Sequence, residues 1–300
     1  MREAAYIPLA RSGELATRAK EALRRLGECR MCPHECAVDR LAGQTGRCGT
    51  ARLACVASYG PHFGEESVLV GRYGSGTIFL ANCNLSCIFC QNADISQGGH
   101  GTATPSERIV EMMVHLRGRH CHNLNFVTPT HVVPQILEAL VGAVGHGLSA
   151  PLVYNCGGYE SVETLRLLDG VVDIYMPDAK YADAAVASRL SGCEGYPEAM
   201  RAALKEMHRQ VGDLAIDGGV AARGLLVRHL VLPNGLAGTG QTMRFIAEEI
   251  SRDTYVNIMA QYRPMHRARE CPQITSMVTH DEMAEAYRLA RSYGLHRFAD

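Results

Sequence analysis

The chain has 300 residues, with 30 Lys and Arg against 31 Asp and Glu and a formal net charge of −1. This balance provides no broad basic surface for nucleic acid and no polybasic patch for a membrane. A chain of this length buries about three quarters of its unfolded surface and needs no disulfides for stability. Its 12 Cys therefore require another explanation.

The position of the cysteines indicates metal binding. Eight of the 12 lie within the first 90 residues. The N-terminus carries charges throughout and lacks the apolar region of a signal peptide, and no stretch reaches the ~18 apolar residues that span a membrane. We therefore expect a cytoplasmic protein that uses neither nucleic acid nor a membrane, with reduced thiols clustered around metal.

The first 75 residues are predicted to form a helical and cysteine-rich module. Residues 12–27 have the apolar spacing of an amphipathic helix, and residues 28–75 need a metal to organise them because they lack apolar runs. Four thiols lie close together here, at Cys29, Cys32, Cys36 and Cys48. Four thiolates complete a tetrahedral zinc site or a fully coordinated iron–sulfur cluster, and the spacing does not decide between them.

Six short apolar runs follow, each with a helical pattern after it. The runs cover residues 76–81, 123–128, 151–155, 171–176, 225–232 and 255–260. The helices are predicted near residues 105–117, 132–146, 160–169, 182–191, 197–211, 240–251 and 280–293. The last opens with a capping-box pattern at Thr279 and Glu282.

This alternation predicts an α/β fold. Continuous apolar strands that alternate with helices form a parallel sheet covered on both faces. Six units are fewer than the eight of a complete TIM barrel, so we expect a partial (β/α)6 TIM-type barrel over residues 76–300. Ligands bind at the carboxyl ends of the strands in such folds. Arg228 and His229, on the fifth strand, are candidates for polar positions inside the barrel.

The loop after the first of these strands reads CNLSCIFCQN, in which Cys83, Cys87 and Cys90 form C-x3-C-x2-C. Three thiolates on one short loop can bind three irons of a 4Fe–4S cube. The fourth iron then stays open to a small molecule, much as catalytic zinc keeps an open position. A zinc knuckle would favour paired C-x2-C units and four ligands.

This loop resembles the signature of the radical S-adenosylmethionine (SAM) superfamily. The segments GSGTIFLANCNLSCIFCQNADIS, NFVTPTH, MPDAKY, VRHLVLPN and MAQYRP are similar to the pyruvate formate-lyase activating enzyme-like family, whose relatives are glycyl-radical-enzyme activases. The resemblance implies a radical SAM oxidoreductase of the activating type, with Cys83, Cys87 and Cys90 as catalytic ligands. The reduced cluster would cleave SAM to a 5′-deoxyadenosyl radical that abstracts hydrogen, with flavodoxin or ferredoxin as a reductant.

The resemblance also implies which strand ends contact SAM. Activases place Gly-Gly-Glu after the second strand, for the SAM amino group, where residues 128–131 of this chain read Thr-Pro-Thr-His. After the fourth strand, an Asp-x-Lys motif matches Asp178 and Lys180; its Lys pairs with the SAM carboxylate, and the alternative is a surface ion pair. The implied cofactor-binding residues are Phe89, Asn92, Thr128, Thr130, His131, Asn155, Asp178, Lys180 and Gln261.

Three functions remain open from the sequence. The first is an activase that abstracts a glycyl Cα hydrogen from a partner enzyme. The second is a radical SAM enzyme for a small molecule or another peptide, which the Thr-Pro-Thr-His segment and the extra cysteines favour. The third is an iron–sulfur electron carrier or a zinc-dependent interaction protein. The three-ligand site argues against the third, because an electron carrier has no use for an open iron.

Four further cysteines are expected to be small buried side chains without a redox role. They are Cys121, Cys156, Cys193 and Cys271. Cys156 is the exception to watch, because it lies at a strand end.

Overall fold

The alternation of strands and helices is present in the computed structural model, which describes residues 3–299. Ten strands form one sheet within these residues. They are β1 (Ala54–His62), β2 (Ser75–Leu80), β3 (Thr102–Thr104), β4 (Leu124–Val127), β5 (Leu152–Cys156), β6 (Ile174–Pro177), β7 (Ala215–Asp217), β8 (Val220–Leu230), β9 (Tyr255–Met259) and β10 (Arg297–Phe298).

The helices cover both N-terminal and intervening segments. They are α1 (Tyr6–Ser12), α2 (Glu14–Arg24), α3 (Ser67–Val70), α4 (Ala93–Ser96), α5 (Ser106–Gly118), α6 (Val133–Gly145), α7 (Val162–Leu167), α8 (Ala184–Ser191), α9 (Tyr196–Val211), α10 (Thr239–Phe245) and α11 (His280–Ser292). A π-helical turn at Ile246–Ile250 extends α10. None of the helices in the described part combines the length and apolar character needed to cross a membrane.

Six strands are parallel neighbours in the order β2-β4-β5-β6-β8-β9, and they correspond to the six predicted strands. Strand β8 begins five residues earlier than predicted, because Val220 and its neighbours pair with β7 in a hairpin. The predicted helix over residues 12–27 begins at Glu14, since Gly13 has a φ of 79° and separates α2 from α1. The capping box at Thr279 and Glu282 is confirmed.

The two predicted regions, residues 1–75 and 76–300, share one sheet and one core. Strand β1 pairs antiparallel with β2 and also with β3. Helix α2 packs against α6, and its buried Leu15 belongs to the same apolar cluster as Leu137 of α6. The cysteine-rich segment therefore lies against the parallel sheet rather than apart from it.

The connection between β1 and β2 lies on the concave face of the sheet. Leu69 of α3 packs with apolar side chains of β5, β6 and β8. Asn125 of β4 and Asn257 of β9 donate hydrogen bonds to the adjacent Glu65 and Glu66. Because three strands separate β4 from β9 in the sheet, the sheet must curve around this connection. A curved parallel sheet of this kind is what a partial (β/α)6 barrel requires, and the barrel itself stays a prediction.

Candidate functional site

The loop that carries Cys83, Cys87 and Cys90 follows β2 at the carboxyl edge of the parallel strands. Its backbone is fixed to the end of α8, because the Ser86 and Ile88 N–H groups donate to the Ser191 and Leu190 carbonyls at 3.0 and 2.9 Å. Asn82 has a φ of 71° and turns the chain out of the strand. The sequence thus forms a rigid loop at the strand end where ligands bind in this class of fold.

Polar donors reach the sulfurs of this loop. The Leu85 N–H lies 3.3 Å from Cys83 Sγ, and the Ser191 hydroxyl donates to Cys87 Sγ at 2.9 Å. Burial raises the pKa of the Cys87 thiol, whereas Lys180 lowers it. Hydrogen bonds and a nearby cation favour the thiolate form that binds metal.

The third sulfur, of Cys90, lies 3.2 Å from the Ser96 hydroxyl. Within residues 3–299, no three His, Cys, Asp or Glu side chains converge as ligands of a single ion. The thiolates of a 4Fe–4S cube each bind a different iron, so the sulfurs of this loop need not converge on one point. Three thiols on one rigid loop, with polar donors and a cation beside them, fit such a cluster.

Asp178 and Lys180 lie beside this loop and form an ion pair with a 2.6 Å separation. The side chains are only 13% and 16% exposed, so this is not the surface ion pair that was the alternative. Arg228 Nε donates to the second carboxylate oxygen of Asp178 at 2.8 Å, and Arg228 Nη2 donates to Asn155 Oδ1 at 2.6 Å. The structure therefore brings three predicted residues, Asn155, Asp178 and Lys180, into one network with Arg228.

The charges of this network are mutually stabilised. Burial by itself would raise the pKa of Asp178, but Arg228 and Lys180 outweigh it and hold this pKa below its ordinary value. Burial would lower the pKa of Lys180, but Asp178 and Cys87 raise it above the ordinary value. Lys180 is thus a fixed cation next to the cysteine loop. The Lys180 ammonium group has three N–H donors, and one of them is directed to Asp178. A cation of this kind can also bind an anionic group.

Two acidic residues on the concave face were missed by the sequence analysis. Glu65 accepts from Asn125 at 3.0 Å and lies 3.9 Å from Arg228 Nη1. Glu66 accepts from Asn257 at 2.8 Å, and its other carboxylate oxygen is buried with no hydrogen-bond partner in the described residues. Burial raises the pKa of Glu65, although Arg228 opposes this effect. The only signal in the sequence is an adjacent pair of Glu residues, which usually indicates a solvated surface.

The Thr-Pro-Thr-His segment bends sharply at the end of β4. Thr128 has a φ of 63°, in the left-handed region that β-branched residues rarely adopt. The Thr130 hydroxyl donates to Glu160 at 2.6 Å, and His131 Nε2 lies 3.0 Å from the Ala81 carbonyl oxygen. Both side chains are buried, at 0% and 1% exposure. The structure gives them protein partners rather than an open face, so their predicted contact with SAM gains no support from it.

Glu160 is a further residue that the sequence analysis missed. It is buried at the end of β5 and accepts hydrogen bonds from Thr130 and from the Tyr154 hydroxyl, at 2.6 and 2.8 Å. Burial raises the pKa of Glu160 to about 7, although hydrogen bonds from Thr130, Tyr154 and Cys156 act in the opposite direction. Glu160 thus places a carboxyl group beside the Thr-Pro-Thr-His segment, which lacks the acidic residue that activases have at this position.

The remaining predicted residues lie at the rim of the cysteine loop. Asn92 and Gln261 are exposed, and the Gln91 side chain donates to the Gln261 carbonyl at 2.7 Å. The Phe89 ring packs edge-on against the Tyr262 ring at 5.6 Å. The cysteine loop and the segment after β9 are therefore adjacent, as the resemblance implies.

The other cysteines fall into two groups. Cys121, Cys156, Cys193 and Cys271 are all buried, as expected, and their lack of a redox role stays a prediction. The N-terminal four, Cys29, Cys32, Cys36 and Cys48, line one small cavity. The sequence grouping of these four thiols therefore corresponds to a spatial grouping.

A cavity of about 700 Å³ opens at the opposite edge of the sheet, near the amino ends of the strands. His120, His122, Arg117 and Asp217 are among its lining residues. Its size does not make it the functional site, because chemistry in parallel α/β folds lies at the carboxyl ends. The cysteine loop, at the carboxyl edge, is the better candidate.

Comparison with known proteins gives a relative in sequence and several structures with a similar fold, two of which are described. No family model matches the chain. Over 282 residues, the chain is 33% identical to the uncharacterized protein MJ0674 of Methanocaldococcus jannaschii. The match covers 91% of this chain and 77% of that protein. A radical SAM methyltransferase from Sphaerobacter thermophilus has a TM-score of 0.50 at 13% identity, over 75% of this chain and 66% of that one.

The second structure is the radical SAM methyltransferase TsrM from Kitasatospora setae, with cobalamin and a [4Fe-4S] cluster bound. It has a TM-score of 0.46 at 15% identity, over 66% of this chain and 39% of that one, and this likeness is too weak to carry an argument. The first likeness, at low identity, concerns the fold and leaves the activating enzyme-like assignment a prediction. The chain belongs to the same family as MJ0674, and its fold is similar to that of the methyltransferase from Sphaerobacter thermophilus.

Proposed function

We propose that the protein is a radical SAM enzyme. The observation that carries this proposal is the C-x3-C-x2-C loop at the carboxyl edge of the parallel strands, with Lys180 beside it. The likeness of the fold to a radical SAM methyltransferase supports it. An electron carrier or a zinc interaction protein would not require an open three-cysteine loop next to a fixed cation.

Cys83, Cys87 and Cys90 would hold a 4Fe–4S cluster and leave one iron for SAM. When bound, the cluster supplies one electron for the reductive cleavage of SAM to a 5′-deoxyadenosyl radical, which abstracts hydrogen. Lys180 would pair with the SAM carboxylate, since Asp178 holds its ammonium group in place. The Phe89 and Tyr262 rings pack together at the loop, and this apolar pair would help to exclude water from a bound cluster.

The reaction that we propose is the abstraction of a glycyl hydrogen from a partner enzyme, on the resemblance of the five sequence segments. A small molecule or another peptide is the second candidate substrate. The buried pair of Thr130 and Glu160, in place of Gly-Gly-Glu, favours this second candidate because it changes the SAM side of the site. Flavodoxin or ferredoxin would act as the reductant, and an oxygen-labile cluster would place the enzyme in the cytoplasm.

The first experiment tests SAM cleavage. The protein is reconstituted anaerobically with iron and sulfide, then given SAM and dithionite, and 5′-deoxyadenosine is measured. We expect product from the wild type and from Cys121→Ala, a buried cysteine outside the loop, and none from Cys83→Ala. A cluster-loaded wild type that forms no 5′-deoxyadenosine, or a Cys83→Ala variant as active as the wild type, would refute the proposal.

The second experiment separates the substrates. Electron paramagnetic resonance on a co-expressed glycyl-radical enzyme is expected to show a protein radical only when this chain and SAM are present. Methylation or turnover of a small molecule without any protein radical would remove the activase assignment. Methylation is included as an outcome because the structural neighbour is named as a methyltransferase.

A further inference from the structure

The four N-terminal cysteines surround a space of atomic size. Their cavity has a volume of about 10 Å³, and Arg40 and His131 also line it. A volume of this size holds about one water molecule, which matches the size of a single ion. The sulfurs border this space without converging as ligands in the described residues, so binding would draw them inwards.

The backbone around Cys36 is arranged to present its sulfur to this cavity. Glu35 and Ala37 have φ values of 42° and 53° on either side of it, conformations that persist only where the surroundings fix them. The Arg47 N–H lies 3.4 Å from Cys36 Sγ. A Cβ at Gly46 would lie 2.7 Å from the same sulfur, so only glycine allows this close approach.

Arg40 places a buried positive charge beside the cavity. Its side chain is 1% exposed. The guanidinium donates to the Ala51 carbonyl at 2.9 and 3.1 Å and to the His131 carbonyl at 2.8 Å, and it lies 3.6 Å from Cys29 Sγ. Among residues 3–299, no carboxylate forms an ion pair with Arg40, and Glu35, which also lines the cavity, pairs with Arg30 instead. A buried arginine stays charged and is stabilised by a negative partner, which the thiolates of the four cysteines would provide.

His131 provides a second, independent observation. Its Nδ1 atom is buried without a hydrogen-bond partner in the described part of the chain, although the residue lines the cavity. Its Nε2 atom lies 3.0 Å from the Ala81 carbonyl oxygen, two residues before Cys83. Because a carbonyl oxygen only accepts, Nε2 carries the ring proton and Nδ1 is an unpartnered acceptor, which an ion or a water molecule in the cavity would complete.

We propose that Cys29, Cys32, Cys36 and Cys48 bind one zinc ion as thiolates, and that Arg40 and His131 connect this ion to the loop that carries Cys83. Four thiolates in a closed tetrahedral set are typical of structural zinc. This inference is independent of the radical SAM proposal, because it concerns different cysteines and a different metal.

Binding changes the charge of the site in a way that Arg40 can compensate. Four S–H bonds break, four Zn–S bonds form, and four protons pass to the solvent. The four neutral thiols and the Zn²⁺ ion become a complex with a charge of −2, and the +1 charge of the guanidinium offsets half of it. The same guanidinium holds the His131 carbonyl, and the His131 ring holds the Ala81 carbonyl. The ion would thus fix the position of the cysteine loop.

Metal content tests the site. The full chain with Cys83, Cys87 and Cys90 replaced by Ser is purified, and zinc, iron and sulfide are measured. We expect one zinc per chain and no sulfide, no zinc after a further Cys32→Ser substitution, and retained zinc in the control Cys271→Ser. Iron with sulfide in place of zinc, no metal at all, or unchanged zinc in Cys32→Ser would overturn the proposal.

Two further measurements need no additional substitution, so they keep the test informative if the Cys32→Ser variant misfolds. Zinc is removed with a chelator and replaced by Co²⁺, which is expected to give the thiolate charge-transfer and tetrahedral absorption bands of a four-sulfur site. Zinc re-addition in weak buffer is expected to release protons, up to four per chain. Octahedral cobalt bands, or zinc uptake without proton release, would contradict thiolate ligation.

The roles of Arg40 and His131 have their own test. Arg40→Met is expected to weaken zinc affinity by about 10- to 100-fold, as the loss of a group that supports the ligands does, whereas Arg40→Lys retains more of it. Zinc removal is expected to speed amide hydrogen exchange at residues 81–90. An unchanged affinity in Arg40→Met, or unchanged exchange after zinc removal, would sever the proposed connection.

Discussion

Glu160 gives the most quantitative prediction of this structure. Burial raises the pKa of its carboxyl group from 4.5 to about 7, which corresponds to about 3 kcal/mol at 1.36 kcal/mol per pKa unit. Below pH 4.5 the carboxyl group is protonated in both states, and its contribution to folding is fully present. As the pH rises from 4.5 through 7, the carboxyl group ionises in the unfolded chain while it stays protonated in the folded state. The folded state therefore loses this stability over that range.

The test compares the wild type with Glu160→Gln, which cannot titrate and keeps the size of the side chain. Guanidinium unfolding, measured anaerobically from pH 4.5 to 8, is expected to show the variant gaining up to about 3 kcal/mol relative to the wild type as the pH rises. His131 and His229, whose pKa values burial lowers to about 4, titrate equally in both proteins and cancel. A stability difference that stays constant with pH would refute the assignment of this shift to Glu160.

Three further predictions concern packing and charge. Arg228→Met removes the positive partner of Glu65 and one of the positive partners of Asp178. We expect the free energy of unfolding to fall by about 3–5 kcal/mol, and by less in Arg228→Lys; a variant as stable as the wild type would contradict the network. Gly158→Ala places a Cβ 2.1 Å from the Asp178 carbonyl oxygen at a φ of 81°, so we expect a lower Tm and weaker SAM binding by calorimetry, and an unaffected variant would exclude the close approach. Thr279→Ala removes the cap of α11 and is expected to lose about 1 kcal/mol in unfolding free energy without changing 5′-deoxyadenosine yield.

The sequence was sufficient for the six parallel strands because they are largely apolar on both faces, but it did not predict β1, β3, β7 and β10. Continuous runs such as residues 76–81 contain mostly side chains that must be buried, so their order and parallel pairing follow from the connecting helices. The cysteine loop was equally clear, since three thiols at that spacing have few other uses. Residues whose role depends on a short local pattern could therefore be assigned before the structure was known.

Residues whose role depends on distant partners could not be identified from the sequence. Glu65, Glu160 and Arg40 lie in connections where charged residues are usually solvated, and nothing local distinguishes them from surface residues. Each becomes a candidate site residue only because the fold places it against distant partners, which are Asn125, Thr130 and Cys29 respectively. Thr130 and His131 show the converse, since a strand-end position alone did not determine which way their side chains face.

The connection between β1 and β2 supplies carboxylates to the candidate site from a segment that is not a strand. The strand ends hold the cysteine loop, whereas Glu65 and Glu66, on that connection, place two carboxylates against Asn125 and Asn257 of the sheet. Loops accept changes of length and sequence more readily than strands do. We therefore expect relatives to differ in the length and charge of this connection more than in the strands and the cysteine loop.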